Sequence, residues 1–260
     1  METLIVGGGR MGEALLGGLL ASGRDATSLA VVEVAAPRRA QLQAAYPGVT
    51  VADAPISARN AILAVKPADT ASAAQAVAAA GCERVLSVAA GVTTAAIEAA
   101  AQRPLKVVRA MPNTPALVGA GAAAISAGAH AGEEDLAWAE EVLGAVGVVV
   151  RVPEGALDAV TGVSGSGPAY VFLIAEALAE GGVLAGLPRE TAETLAFATL
   201  LGAARLLVES EDGPAALRAA VTSPGGTTAA GLRELERGGV RAAFLEAVTA
   251  AARRSRELGS

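Results

Sequence analysis

Through the first half of the chain, short apolar runs alternate with longer Ala-rich or amphipathic stretches. The runs Thr3 to Val6, Leu29 to Val34, Val49 to Val51, Ala61 to Val65, Arg84 to Val88 and Lys106 to Ala110 are brief and β-prone. Between them, Glu13 to Ala21, Arg38 to Ala45 and Ala68 to Ala80 have helical composition. This alternation predicts an α/β domain with a doubly wound parallel sheet. Residues 117–126 and 146–152 are expected to add an antiparallel edge around a helix from Glu133 to Leu143.

The pattern changes near Pro153, and nothing from Glu154 onward reads as a strand. Ala156 to Thr161 is helical in character. Gly165-Ser166-Gly167-Pro168 opens a long apolar helix through Leu184, and Pro188 precedes another over Arg189 to Glu209. A third helix begins at Gly213-Pro214, a fourth follows Pro224-Gly225-Gly226, and Arg241 to Leu258 forms the last. Ala169 to Ala185 and Thr191 to Val208 are apolar over wide faces, so they should be buried in a bundle or against another subunit. The expected organisation is an α/β domain over 1–152 and an all-α domain over 153–260 that forms a homodimer interface.

Gly7, Gly9 and Gly12 meet the G-x-G-x-x-G spacing, with Arg10 and Met11 inside the loop, a strand before it and a helix after it. In that context Gly7 permits a tight turn, Gly9 lets a pyrophosphate approach, and Gly12 lets the helix pack on the strand. Glu33 lies 21 positions beyond Gly12 at the end of the second strand. An acid there suits a ribose hydroxyl and leans toward NADH, although Arg38 and Arg39 offer groups for the 2′-phosphate of NADPH. Ligands of such sheets bind at the carboxyl ends of the strands. Three of those ends carry unusual loops: Ala64-Val65-Lys66-Pro67, Ala90-Gly91 and Met111-Pro112-Asn113. They are the expected surroundings of a nicotinamide.

A second site is expected in the helical half. Pro224, Gly225 and Gly226 form a turn flanked by Thr222, Ser223, Thr227 and Thr228. Glycines let the backbone pass close to a ligand. Thr227 and Thr228 open a helix whose free N–H groups suit a carboxylate.

Composition narrows the chemistry. The hydrophobic fraction is 53 % with 2 % aromatic residues, so the core must be Ala, Val and Leu. A net charge of −6 argues against nucleic acid. The mean hydropathy is +0.48, but the longest charge-free run, Ala110 to Gly132, is broken by prolines and glycines. No membrane span is expected, Met1 leads straight into the first strand, and the expected location is cytoplasmic. The single cysteine, Cys82, and the single histidine, His130, leave no metal site to expect. His130 lies away from the strand ends and is a poor candidate acid. A substrate that arrives protonated removes the need for one, and an iminium accepts hydride at carbon without further proton delivery.

Together these segments resemble pyrroline-5-carboxylate reductases along the whole length. The resemblance rests on GGGRMGEALLGGLL at the start, LAVKP at 63–67, VRAMPNTPALVGAG at 108–121, AVTGVSGSGPAYVF at 159–172 and AVTSPGGTTAAGLRELERGG at 220–239. It implies a Rossmann domain followed by a helical dimerisation domain, and NAD(P)H-dependent reduction of 1-pyrroline-5-carboxylate to L-proline. By similarity, Ser223, Gly225, Gly226, Thr227 and Thr228 hold the substrate carboxylate. Thr228 also donates to the ring nitrogen, and Glu211 helps to bind that nitrogen. Lys66, Pro67, Ala90, Met111 and Asn113 line the nicotinamide side, and Val163, Ser164 and Gly165 lie near the substrate. The resemblance also allows rings of dimers. Members of that family often carry an Asn/Ser–Arg pair after the second strand; here Val32 to Pro37 has no arginine. A hydroxyacid-dehydrogenase reading would need a catalytic lysine in the long helix, and the only lysines are Lys66 and Lys106. A non-catalytic dinucleotide sensor would have no use for the Ser-Pro-Gly-Gly-Thr-Thr turn.

Overall fold

The computed structural model describes residues 1–259. The chain forms two compact units: Met1–Ser166 together with the stretch from Thr249 onward, and Gly167–Val248.

The first unit is a three-layer α/β fold. Its strands are β1 (Thr3–Val6), β2 (Leu29–Val32), β3 (Thr50–Ala52), β4 (Asn60–Leu63), β5 (Arg84–Ser87), β6 (Lys106–Met111), β7 (Gly121–Ala127) and β8 (Gly147–Arg151). They form one sheet in the order β3-β2-β1-β4-β5-β6-β7-β8. The helices of this unit are α1 (Arg10–Ala21), α2 (Ala36–Ala45), α3 (Thr70–Ala79), α4 (Thr94–Ala101), α5 (Glu133–Gly144) and α6 (Leu157–Val160). Strands β1 to β6 are parallel. The fold class expected from the alternating pattern is therefore present.

Each central strand is buried on both faces, and successive side chains serve opposite cores. Ile5, Val31, Leu86 and Val108 pack with Leu15, Leu16 and Leu19 of α1 and Trp138, Val142 and Leu143 of α5. Leu4, Val6, Leu63 and Val85 pack on the other side with Val77 of α3 and Ile97 of α4. Close approach replaces aromatic bulk in this core: a Cβ on Gly18 would lie 2.2 Å from Val146 Cγ1.

Several boundaries differ from the sequence expectation. Strands β2 and β4 stop at Val32 and Leu63, two residues early, because the backbone turns out of the sheet to form the ligand-side loops. The expected antiparallel edge is half right. Strand β7 runs antiparallel to β6, but β8 runs parallel to β7 because α5 crosses over between them. Helix α4 has no counterpart in the sequence reading, since Ile97 is its single large apolar residue. It is fixed instead by Thr93, whose hydroxyl accepts from the Ala96 N–H at 3.2 Å.

The second unit holds α7 (Gly167–Leu184), α8 (Arg189–Glu209), α9 (Pro214–Ala220) and α10 (Thr227–Arg237); α11 (Val240–Leu258) starts in it and ends in the first unit. Gly186, at φ +102°, ends α7 and turns the chain into α8. Helices α7 and α8 then approach closely: a Cβ on Gly182 would meet the Ala192 Cβ at 3.0 Å. Their outer faces leave Phe172, Leu173, Phe197 and Leu201 more than half exposed in the single chain, and Leu184 is 90 % exposed. The stretches Glu154–Leu184 and Arg189–Glu209 are long and apolar enough to cross a membrane by length and composition alone.

Candidate functional site

The glycine loop has the geometry its spacing predicts. Gly7 sits at φ +105°, and a Cβ there would lie 2.5 Å from the Ala64 carbonyl oxygen. A Cβ on Gly12 would come within 2.0 Å of the Gly7 carbonyl oxygen, so α1 can reach β1 only with glycine at that position. Gly9 faces open space, with nothing within 4 Å of its Cβ position. Gly9 is also the N-cap of α1 and offers no side chain to the first-turn N–H groups of Arg10, Met11 and Gly12. The loop is thus closed where the fold needs contact and open where a diphosphate would approach, and it fits a dinucleotide.

Glu33 folds back over this loop. Its Oε2 accepts from the Gly8 N–H at 3.1 Å and its Oε1 from the Ala35 N–H at 2.8 Å. Arg38 donates through Nε to the Gly8 carbonyl at 2.8 Å and pairs with Glu13. Arg39 donates through Nη1 to the carbonyls of Glu33 and Val34. The acid and both arginines therefore surround the carboxyl end of β2.

The three strand-end loops lie on neighbouring strands, because β4, β5 and β6 are adjacent in the sheet. Ala64 backs onto Gly7, with the Val65 Cγ1 3.2 Å from the same Cβ position. Lys66 and Pro67 are exposed, and Pro67 starts a short 3-10 turn into α3. Ala90 is exposed at the end of β5. Met111 reaches Gly165, where an added Cβ would lie 2.5 Å from the Met111 Cε.

Asn113 is buried and acts as a brace. Its Nδ2 donates to the Ser164 carbonyl at 3.0 Å, and its Oδ1 accepts from the Ala122 N–H at 2.8 Å. The side chain is occupied at both ends by protein. The segment it braces is a feature the sequence reading missed. After α6 the backbone widens into a π-turn over Thr161–Gly165, with Ser166 N–H bonded to the Thr161 carbonyl at 2.8 Å. A π-turn within a longer helix is a frequent mark of a functional segment. It carries Val163, which is exposed, together with Ser164 and Gly165. The Ser164 hydroxyl donates back to the Val160 carbonyl at 3.1 Å.

Glu154 was also invisible from the sequence. It lies in the 3-10 turn before α6, and its carboxylate accepts from the Thr94 N–H and Oγ1, each at 2.8 Å, and from Arg109 Nη1 at 3.1 Å. Partial burial pushes its carboxyl up. The two Thr94 bonds and the Arg109 guanidinium outweigh that, and hold it below the ordinary glutamate range.

In the second unit, Gly225 takes φ +70° and Gly226 caps α10. A Cβ on Gly226 would lie 2.4 Å from Ser223 Oγ, so Ser223 closes over the turn. No side chain caps the first turn of α10, which leaves the N–H groups of Thr227 and Thr228 beside their hydroxyls. Ser223 and Thr227 are exposed and Thr228 is half-buried. Glu211 is exposed in the bend between α8 and α9, and it has no bond to the turn among the described residues. The structure thus gathers Ser223 to Thr228 at one uncapped helix start.

Residues 154–258 match the family described as pyrroline-5-carboxylate reductase dimerisation, and residues 3–91 match that described as NADP oxidoreductase, coenzyme F420-dependent. A pyrroline-5-carboxylate reductase of Synechocystis is 49 % identical, with 98 % of this chain and 97 % of that protein covered. One from Mycobacterium tuberculosis is 47 % identical, covering 98 % and 95 %. Among solved structures, a pyrroline-5-carboxylate reductase of Coxiella burnetii superposes with a TM-score of 0.94 at 37 % identity, over 100 % of this chain and 98 % of that one. The Plasmodium falciparum pyrroline carboxylate reductase with NADP bound gives 0.85 at 26 % identity, with the same coverage.

Proposed function

The chain belongs to the pyrroline-5-carboxylate reductase family, and from that premise we propose how its residues divide the reaction. The reaction is reduction of 1-pyrroline-5-carboxylate to L-proline. When bound, the reduced nicotinamide supplies the hydride, which adds to the C=N carbon of the protonated imine while the C=N π electrons move to nitrogen. The product is a neutral amine and the coenzyme leaves oxidised.

The residues bind and orient. Gly7, Gly9, Arg10, Met11 and Gly12 receive the diphosphate. Ala64, Val65, Lys66, Pro67, Ala90 and Met111 line the nicotinamide side, and Asn113 serves that side by holding the Ser164 carbonyl. Ser223, Gly225, Gly226 and Thr227 take the substrate carboxylate at the start of α10. Thr228 donates to the ring nitrogen as its lone pair develops. Glu211, exposed in the bend before α9, helps to bind that nitrogen. Val163, Ser164 and Gly165 are taken, from the family likeness, to lie near the substrate. The observation that carries this reading is the uncapped α10 terminus behind the Gly225–Gly226 turn, which presents N–H groups and hydroxyls together.

The test compares 1-pyrroline-5-carboxylate with unsubstituted 1-pyrroline. Loss of the carboxylate should lower kcat/KM by roughly two orders of magnitude. Equal kcat/KM values would remove the α10 terminus from substrate binding.

Glu33 supports a lean toward NADH, since it stands at the end of the second strand with its carboxylate against the glycine loop. Arg38 and Arg39 at the same strand end keep NADPH usable. The chain homo-oligomerises through its helical half. The working unit in this reading is a dimer, with rings of dimers as a further level. The apolar faces of α7 and α8 meet a second copy and not lipid, which keeps the enzyme in the cytoplasm. The functional division falls at 152/153, with the coenzyme on 1–152 and the substrate carboxylate and the dimer contact on 153–260.

A further inference from the structure

Helix α4 begins directly after the loop from Ala90 that ends β5, and it already has a cap in Thr93. Its first N–H and the Thr94 hydroxyl are nevertheless both taken by Glu154, 60 positions later in the chain. The same carboxylate neutralises Arg109, which is only 8 % exposed on β6, the strand that ends in Met111. Three elements therefore converge on one side chain: the loop after β5 through Thr94, the strand before Met111 through Arg109, and the turn that leads into α6 and the π-turn. The loop after β5 is held from a second side as well, since Gly259 lies so close that a Cβ on it would be 2.5 Å from the Gly91 carbonyl oxygen.

These three elements carry Ala90, Met111 and Val163–Gly165, the nicotinamide and substrate walls of the reading above, on which this inference rests. We propose that Glu154 is a positioning residue for hydride transfer: by fastening Thr94 and Arg109 it sets the loop after β5 and the π-turn at the spacing the reacting ring needs. It touches neither substrate nor coenzyme. A simple surface ion pair would not need this geometry, because exposed pairs contribute little. Here two charged groups are drawn inward and every oxygen of the carboxylate has a donor. Hydride transfer is sensitive to such placement, since displacements of about 1 Å can cost a hundredfold in rate.

The experiment is single-turnover oxidation of NAD(P)H by 1-pyrroline-5-carboxylate, with rate constants expressed per coenzyme-binding site. That normalisation removes any contribution from unfolded protein. The variants are Glu154→Ala and the milder Thr94→Val, which deletes only the hydroxyl donor and keeps the N–H. The expected result is a rate constant lower by roughly ten- to a hundredfold in Glu154→Ala. Thr94→Val should fall at least about threefold, with coenzyme Kd within about twofold of wild type in both. If Glu154→Ala does not fold, Thr94→Val alone decides. Wild-type rate constants in the variants would overturn the proposal and leave the reductase reading intact, because Glu154 would then be only a structural fastening. A loss that follows a matching rise in coenzyme Kd would overturn it too. Wild-type protein that binds coenzyme but does not turn over would end both readings.

Discussion

In the proposed division of the reaction, Thr228 and Glu33 are the two side chains whose removal should separate chemistry from coenzyme choice. Thr228 stands in the first turn of α10, which no side chain caps, and its hydroxyl is the donor proposed for the developing lone pair. Thr228→Ala should lower kcat/KM by one to two orders of magnitude, about 1.4 to 2.7 kcal/mol of transition-state stabilisation. Steady-state kinetics of the purified variant check it, and an unchanged value would take Thr228 out of the mechanism. Glu33 accepts from the Gly8 and Ala35 N–H groups, one on each oxygen, and each oxygen keeps acceptor capacity for a ribose hydroxyl. Glu33→Ala should raise the KM for NADH more than that for NADPH, since the loss of an acid also removes repulsion of a 2′-phosphate. Equal changes would mean that Glu33 only braces the loop. At Gly12 the constraint is steric: a methyl group would overlap the Gly7 carbonyl oxygen, so loss of coenzyme binding is the expected effect of Gly12→Ala.

Among the elements, the local ones were legible in the sequence and the braced ones were not. The β1–α1 loop was readable because its three glycines act within six residues: Gly7 and Gly12 each answer a backbone contact, and Gly9 leaves the loop open. Helix α8 was readable end to end because Pro188 marks its start and its apolar pattern is long. The π-turn was unreadable, because it depends on Asn113, 51 positions away, to hold the Ser164 carbonyl. Asn113 itself looked like a coenzyme ligand by its place at a strand end, and nothing local shows that its amide is spent on Ser164 and Ala122. Helix α4 escaped because an Ala-rich segment with one isoleucine has little amphipathic signal, and its fixing groups, Thr93 and Glu154, act outside that pattern.

The Glu154 fastening has a pH signature at this scale. Its folded carboxyl titrates below the ordinary value of 4.5, so the stabilisation is present above that value and is lost as pH falls through the lowered one. Thermal melts of wild type and Glu154→Gln should differ at pH 7 and converge as pH falls through the lowered value of the Glu154 carboxyl. A difference that persists unchanged into acid would show that the charge of Glu154 contributes nothing.

At the scale of the whole molecule, the single chain leaves large apolar side chains of α7 and α8 facing outward, Phe172 and Phe197 each more than half exposed. Large apolar side chains exposed together on two packed helices mark an interaction surface. The helical half accordingly carries the dimerisation match. The protein should sediment as a dimer or larger at micromolar concentration, and Phe172→Glu with Phe197→Glu should drive it toward monomer. A wild-type monomer in analytical ultracentrifugation would contradict the interface assignment. The low aromatic content fits the same picture, since small residues let α7 and α8 approach at Gly182 and Ala192 and keep the large side chains for the outer face.

The most direct measurement is the initial rate of NADH and NADPH oxidation, side by side, by purified protein with 1-pyrroline-5-carboxylate. Turnover with formation of stoichiometric L-proline is the predicted result, with the NADH value of kcat/KM at least matching that for NADPH. Folded protein that binds either coenzyme at the Gly7–Gly12 loop but forms no proline with either would contradict it.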